Sequence, residues 1–126
     1  MECRFCSIVN KHYKYEKIDI PFAENDDFFA IASIGSMIEG WSLVVPKKHT
    51  LSMKSFYKTK KLENFVNELL PRMYEKYGKI IVFEHGSNQE GSITACGTDH
   101  AHLHLVPFNG SLLDDLNKSS LKWEKC

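Results

Sequence analysis

Three histidines alternate with apolar residues in the segment His100-Ala101-His102-Leu103-His104. Successive residues of a β-strand point to opposite faces, so this spacing places the three imidazoles in a row on one face of a sheet. Charged neighbours would repel, and we therefore expect some of these rings to be neutral at pH 7. Surface histidines without a function are the simplest alternative, but the strict alternation favours a functional site. The spacing alone leaves nucleophilic catalysis and metal binding open.

A second chemically competent group is the pair Cys3-x-x-Cys6 near the N-terminus. In a reducing compartment such a pair is more often metal-binding or redox-active than a structural disulfide. The two-residue gap is that of a zinc knuckle, but zinc needs two further ligands, and two small buried thiols are the alternative. Cys96 and Cys126 stand alone, and we assign them no ligand role.

Strand-forming runs surround the histidine segment. They are Phe28–Ile34, Ser42–Val45, Lys79–Glu84 and His100–Val106, the first two being predicted neighbours. Apolar residues recur at intervals of three and four from Lys60 to Tyr77, which predicts a helix. Pro71 lies inside that helix and predicts a kink or a break. Strands and helix do not alternate as in a βαβ fold, so we predict an α+β domain with a mostly antiparallel sheet and one long helix.

Length and charge limit the class of protein. The chain has 126 residues and equal numbers of basic and acidic side chains, which predicts one domain and excludes a general affinity for nucleic acid or anionic membranes. No apolar run approaches the length of a membrane-spanning helix. We therefore expect a cytoplasmic protein.

Two motifs resemble those of the histidine triad (HIT) superfamily. His100–Val106 fits the pattern His-φ-His-φ-His-φ-φ, and Leu43–His49 is similar to the family's L-V-φ-P-K-x-H strand end. The similarity extends over nearly the whole chain to about Phe108. It implies a single HIT domain over residues 1–126, with a zinc-knuckle segment at 1–10, a C-terminal tail at 109–126 and a homodimeric assembly.

The resemblance implies a catalytic role for the triad. His102 would attack the α-phosphorus of a nucleotide or nucleotide conjugate, form a nucleotidyl-histidine intermediate, and pass the nucleotidyl group to water or another acceptor. His104 would contact the phosphoryl oxygens or the leaving group. In zinc-bearing members the ligands correspond here to Cys3, Cys6, His49 and His100, which implies a structural Zn²⁺.

Several positions near the expected substrate depart from the family pattern. Ser33 stands where many members have a ribose-binding aspartate, Trp41 replaces a frequent histidine, and Gly97 and Thr98 lie where a G-Q-S-V stretch is usual. The expected substrate-binding residues are Ser33, Ile34, Glu84, Gly97 and Thr98. These departures keep open a non-catalytic nucleotide-binding or regulatory module. A zinc-dependent hydrolase that uses all three triad histidines as ligands is a third hypothesis.

Overall fold

A computed structural model describes residues 3–34, 37–85 and 99–120. Its strands are β1 (Ala23–Glu24), β2 (Phe28–Ala32), β3 (Ser42–Pro46), β4 (Ile80–Glu84) and β5 (Leu103–Pro107). They form one sheet in the order β1-β2-β3-β5-β4, and every neighbouring pair is antiparallel. The helices are α1 (Arg4–Val9), α2 (Lys60–Tyr77) and α3 (Leu112–Lys118), with a 3-10 turn at Met53–Ser55. The predicted α+β fold is confirmed.

The sheet separates two apolar layers. On one face, α2 packs its buried side chains Leu62, Phe65, Leu69 and Met73 against β-strand residues that include Val44 and Leu105. On the other face, Phe5 and Ile8 of α1 pack against β2 and β3 residues. Burial of a side chain such as Phe5 contributes about 1.5–3 kcal/mol. The short N-terminal helix is thereby fixed on the face opposite α2.

Strand β5 lies between β3 and β4, so the segment that carries the histidines is held on both sides. Its register pairs Leu43 with His104 and Val44 with Leu103. Because residues paired across a ladder share a face, Val44 and Leu103 face α2, whereas Leu43 and His104 face the α1 side. The sheet register therefore directs His104 away from the main core.

Three predicted strands begin later or end earlier than expected, although β4 differs by one residue only, beginning at Ile80 rather than Lys79. Strand β2 ends at Ala32 rather than Ile34. The N–H of Ser33 still bonds to the carbonyl of Trp41 over 3.1 Å, but the N–H of Trp41 turns to the carbonyl of Ile38 over 3.3 Å, so the pairing goes no further. Strand β5 begins at Leu103 rather than His100. The N–H of Ala101 bonds to the carbonyl of Thr50 over 2.6 Å, which draws the preceding residues away from the ladder.

Helix α2 has the predicted bounds and is continuous through Pro71, so of the predicted kink or break the break is wrong. Pro71 is exposed, so water can occupy the place of the backbone donor that proline lacks. The side-chain oxygen of Thr59 accepts a hydrogen bond from the N–H of Leu62 and so caps the start of the helix. Gly78, with a φ of 82°, follows the last turn. Across the described ranges, no helix is long and apolar enough to cross a membrane.

Candidate active site and metal centre

The three histidines of the triad are buried on the α1 face. Their exposed fractions are 2% for His100, 4% for His102 and 8% for His104. The intervening Ala101 and Leu103 belong to the core under α2, as the alternation predicts. The ring of Phe5 meets His100 and His102 edge-on, at centroid distances of 5.5 and 5.4 Å. Helix α1 therefore covers the first two histidines.

Four side chains from separate parts of the chain converge beside α1. The ligand atoms of Cys3, Cys6, His49 and His100 all lie within 4.8 Å of one another. Nδ1 of His100 lies 3.3 Å from Sγ of Cys3 and 3.6 Å from Sγ of Cys6, and Nδ1 of His49 lies 3.3 Å from Sγ of Cys6. A tetrahedral zinc ion with bonds of about 2.0–2.3 Å separates its ligand atoms by roughly 3.3–3.8 Å. The donor set and these three distances fit such an ion.

The orientation of His100 also suits metal binding. Its Nε2–H donates to the carbonyl of Pro46 over 2.7 Å, so Nδ1 carries the lone pair that faces the cysteines. Burial lowers the pKa of His100 to about 4, and the ring is neutral at pH 7. Burial and the neighbouring Cys3 raise the pKa of Cys6 to about 11, so a thiolate there requires a nearby cation. His100 is thus directed to the cysteines rather than to the other triad histidines.

His102 presents a defined tautomer. Its Nδ1–H donates to the backbone carbonyl of His100 over 2.8 Å, which leaves the lone pair on Nε2. Burial lowers the pKa of His102, so the ring is neutral at pH 7. A neutral imidazole with one nitrogen anchored and the other unprotonated is a competent nucleophile. His102 also lines a cavity of about 510 Å³.

His104 lies beside His102 in the same cavity. Its ring is stacked on Phe83 with centroids 4.9 Å apart, and its Nδ1 accepts a hydrogen bond from Nε1 of Trp41. Burial, followed by the charges of His102 and His85, lowers the pKa of His104 to about 4. In the neutral ring the proton is therefore on Nε2, which can donate to a bound oxygen.

The predicted substrate residues fall into three groups. Ser33 and Ile34 line the cavity with His102. Glu84 is directed elsewhere, because its carboxylate accepts bonds from the N–H of Met53 and the hydroxyl of Tyr57. Gly97 and Thr98 lie outside the described residues.

Sequence reasoning missed several residues of the cavity wall, among them Arg4 and Tyr15. Arg4 lies inside the Cys3-x-x-Cys6 motif and forms an ion pair with Asp19. A basic residue between two predicted metal ligands is a usable signal, because the metal fixes its neighbours in place. Nothing in the spacing of Tyr15 or Asp19 indicates their contact with Arg4.

Comparisons with known proteins agree with this geometry. No protein-family model matches the chain. An uncharacterized HIT-like protein of Mycoplasma genitalium is 32% identical over 108 residues, which span 83% of this chain and 72% of that protein.

Several solved structures share the fold at lower identity, among them the following two. A HIT family hydrolase from Clostridium thermocellum superposes with a TM-score of 0.58 at 18% identity, covering 85% of this chain and 90% of its own. A Zn-bound histidine triad family protein from Mycobacterium smegmatis superposes with a TM-score of 0.60 at 24% identity, and the match covers 90% of this chain and 80% of that protein. Sequence identity to the Mycoplasma protein, together with the buried alternating histidines, shows that this chain belongs to the histidine triad family.

Proposed function

We propose that the protein is a nucleotidyl hydrolase or transferase that cleaves at the α-phosphate of a nucleotide or nucleotide conjugate through His102. One observation carries this proposal: Nδ1 of His102 is anchored to the carbonyl of His100 over 2.8 Å, beside a cavity of about 510 Å³. That volume lies within the usual range for a small-molecule site. The similarity of fold to a protein described as a HIT family hydrolase supports the same class of reaction.

The proposed reaction has two displacements at phosphorus. Nε2 of His102 forms a bond to the α-phosphorus, and the bond to the leaving group breaks with its electron pair on the leaving group. The positive charge on the imidazole is stabilised through Nδ1–H and the carbonyl of His100. A water molecule then forms a P–O bond and loses a proton, while the N–P electron pair returns to Nε2. In a transfer reaction another hydroxyl or amine takes the place of water.

His104 stabilises the charge that develops during both steps. The bond from Trp41 occupies Nδ1 of His104, which puts the ring proton on Nε2, and in the proposed complex Nε2–H donates to a phosphoryl oxygen. Ser33 and Ile34 bind the nucleoside, and Phe83 supplies an apolar wall. Gly97 and Thr98 remain predicted phosphate contacts. Glu84 remains a predicted substrate residue, although its carboxylate is bound to Met53 and Tyr57.

We also propose that Cys3, Cys6, His49 and His100 bind a structural Zn²⁺. The zinc-bound state of the Mycobacterium relative supports this assignment, as does the tautomer of His100. When bound, zinc supplies a closed cross-link between α1 and the histidine segment. Phe5, between the two cysteines in sequence, is thereby pressed against His100 and His102. A homodimer remains a prediction from the family resemblance.

The test is turnover of two substrates that deliver the same nucleotidyl group, adenosine 5′-phosphoramidate and diadenosine triphosphate. AMP release is followed by chromatography for the wild type and for His102→Asn. We expect the wild type to release AMP from at least one substrate, and the variant to lose about 10³-fold or more in rate. Zinc content and melting temperature confirm that the variant is folded. Binding of AMP without turnover of either substrate would favour the non-catalytic module.

A further inference from the structure

Arg4 stands where two cavities meet. Arg4 lines the cavity of about 510 Å³ that contains His102, and it also lines a second cavity of about 600 Å³. The second cavity is bounded in addition by Ser7, His12, Tyr13 and Lys14. Arg4 therefore borders both the cavity that contains His102 and a second cavity, or groove, whose other lining residues include a lysine and a tyrosine.

The guanidinium of Arg4 is held in a fixed position. Its Nε and Nη2 donate to Oδ1 of Asp19 at 3.0 and 2.5 Å. Asp19 is fully buried, and its Oδ2 accepts the N–H of Tyr15 over 2.9 Å. The guanidinium carbon also lies 5.4 Å from the ring centroid of Phe5 and 5.5 Å from that of Tyr15. An arginine held this way loses little entropy when it binds a ligand.

The ion pair leaves part of the guanidinium available. Arginine has five N–H donors, and within the described residues only those on Nε and Nη2 of Arg4 have hydrogen-bond partners. The Arg4 side chain keeps 17% of its surface exposed, whereas Asp19 has none. Lys14 lines the second cavity, and its Nζ lies 5.4 Å from the ring centroid of Tyr15, which lines the first. Although Glu16 adds one exposed carboxylate to this segment, Lys11, Lys14 and Lys17 outnumber it.

We propose that Arg4 and Lys14 form a second anion subsite, which binds a negatively charged leaving group attached to the reacting phosphate. The proposal rests on the catalytic role proposed for His102. The leaving group departs with the electron pair of its bond to phosphorus. The guanidinium N–H groups that Arg4 does not use for Asp19 donate to it, and Lys14 supplies positive charge that stabilises the developing negative charge. The subsite makes the enzyme select substrates whose leaving group is a phosphate-bearing anion over those that release an uncharged amine.

Three variants test the subsite in the zinc-loaded, full-length protein. The double variant Arg4→Gln/Asp19→Asn removes the cation without leaving a buried carboxylate unpaired. Lys14→Gln removes an exposed cation of the groove and leaves the Arg4–Asp19 pair intact. Lys118→Gln is the matched control, because this exposed lysine of α3 lines neither cavity.

Two readouts are taken for each protein. The first is the dissociation constant of inorganic pyrophosphate by calorimetry, and the second is the ratio of kcat/KM for diadenosine triphosphate to that for adenosine 5′-phosphoramidate. We expect the double variant to weaken pyrophosphate binding and to lower the ratio by about 10- to 100-fold, because hydrogen bonds to charged groups are worth that much. Lys14→Gln should raise the dissociation constant of pyrophosphate about threefold and lower the kcat/KM ratio about threefold. Lys118→Gln should change neither.

The outcomes separate this proposal from the catalytic one. Turnover of both substrates with the same ratio in wild type and variants would overturn the subsite and leave the role of His102 intact. Arg4-dependent binding of pyrophosphate without turnover of either substrate would retain the subsite and reject the catalytic proposal. If the double variant does not fold, unchanged pyrophosphate binding by Lys14→Gln overturns the subsite, and weakened binding supports it.

Discussion

The indole N–H of Trp41 donates to Nδ1 of His104 over 3.1 Å, across 63 residues of sequence. An indole nitrogen only donates, so this bond fixes the lone pair of His104 on Nδ1 and its proton on Nε2. Trp41 precedes β3, and β3 pairs directly with β5, which brings the two rings together. A residue that departs from the family pattern therefore controls the tautomer of a triad histidine.

We expect Trp41→Phe to release that tautomer while keeping an aromatic ring in place. Loss of one hydrogen bond of about 1 kcal/mol should lower kcat/KM by about five- to tenfold. Nitrogen NMR of labelled histidine measures the tautomer of His104, and thermal unfolding controls for a loss of packing. Retention of the Nε2–H tautomer in a variant with lowered activity would contradict this explanation.

Acid should destabilise the protein partly through His104. Burial, then the charges of His102 and His85, lower its folded-state pKa to about 4, so the unfolded chain takes up a proton first as the pH falls. Stability from His104 is present above about pH 6.5 and is lost progressively toward the folded pKa. As the pH falls from about 6.5 to 5, the free energy of unfolding should decrease in both proteins. We expect the decrease to be about 1 kcal/mol smaller in His104→Asn than in the wild type, as measured by urea unfolding. If the plots of unfolding free energy against pH are parallel for the two proteins, His104 does not contribute to the acid sensitivity.

Removal of the proposed zinc should destabilise the fold. Cys6→Ser deletes a ligand that lies 3.3 Å from His49 and 3.6 Å from His100, so we expect loss of the metal and of several kcal/mol of stability. Metal analysis and thermal unfolding measure both effects, and a chelator should reproduce them in the wild type. Cys126→Ser is the matched control, since sequence assigns it no ligand role. One zinc per chain in Cys6→Ser would refute the assignment.

Glu84 should contribute to stability in addition to its predicted place at the substrate. Its carboxylate joins the end of β4 to the 3-10 turn through Met53 and to Tyr57. Glu84→Gln weakens two charge-assisted bonds, and we expect a loss of about 1–2 kcal/mol in the free energy of unfolding. Tyr57→Phe removes one of the two bonds, so its free energy of unfolding should fall by less than that of Glu84→Gln. A raised KM with unchanged stability in Glu84→Gln would instead place Glu84 at the substrate alone.

Local patterns predicted the framework because their physical causes are local. The bounds of α2 follow from apolar spacing between Thr59 and Gly78, and the α1-facing row of histidines follows from alternation. Helix α1 was missed because six residues are too few to show a helical period, and β1 because it has two residues.

Long-range contacts account for the rest. The pairing of Trp41 with His104 depends on strand register, and that of Arg4 with Asp19 depends on how the intervening segment folds back. Neither contact could be predicted from the sequence, because the spacing of the two residues along the chain does not indicate that they meet. The ligand set, in contrast, was named from the family resemblance, and the structure brings all four of its members together.

The covalent step at His102 is the central claim, and intact-protein mass spectrometry after rapid acid-free quenching of diadenosine triphosphate turnover tests it most directly. We predict an adenylyl adduct on the wild type, assigned to His102 by peptide fragmentation and absent from His102→Asn. Multiple turnover by the wild type without any adduct, or the same adduct and rate in His102→Asn, would contradict the mechanism.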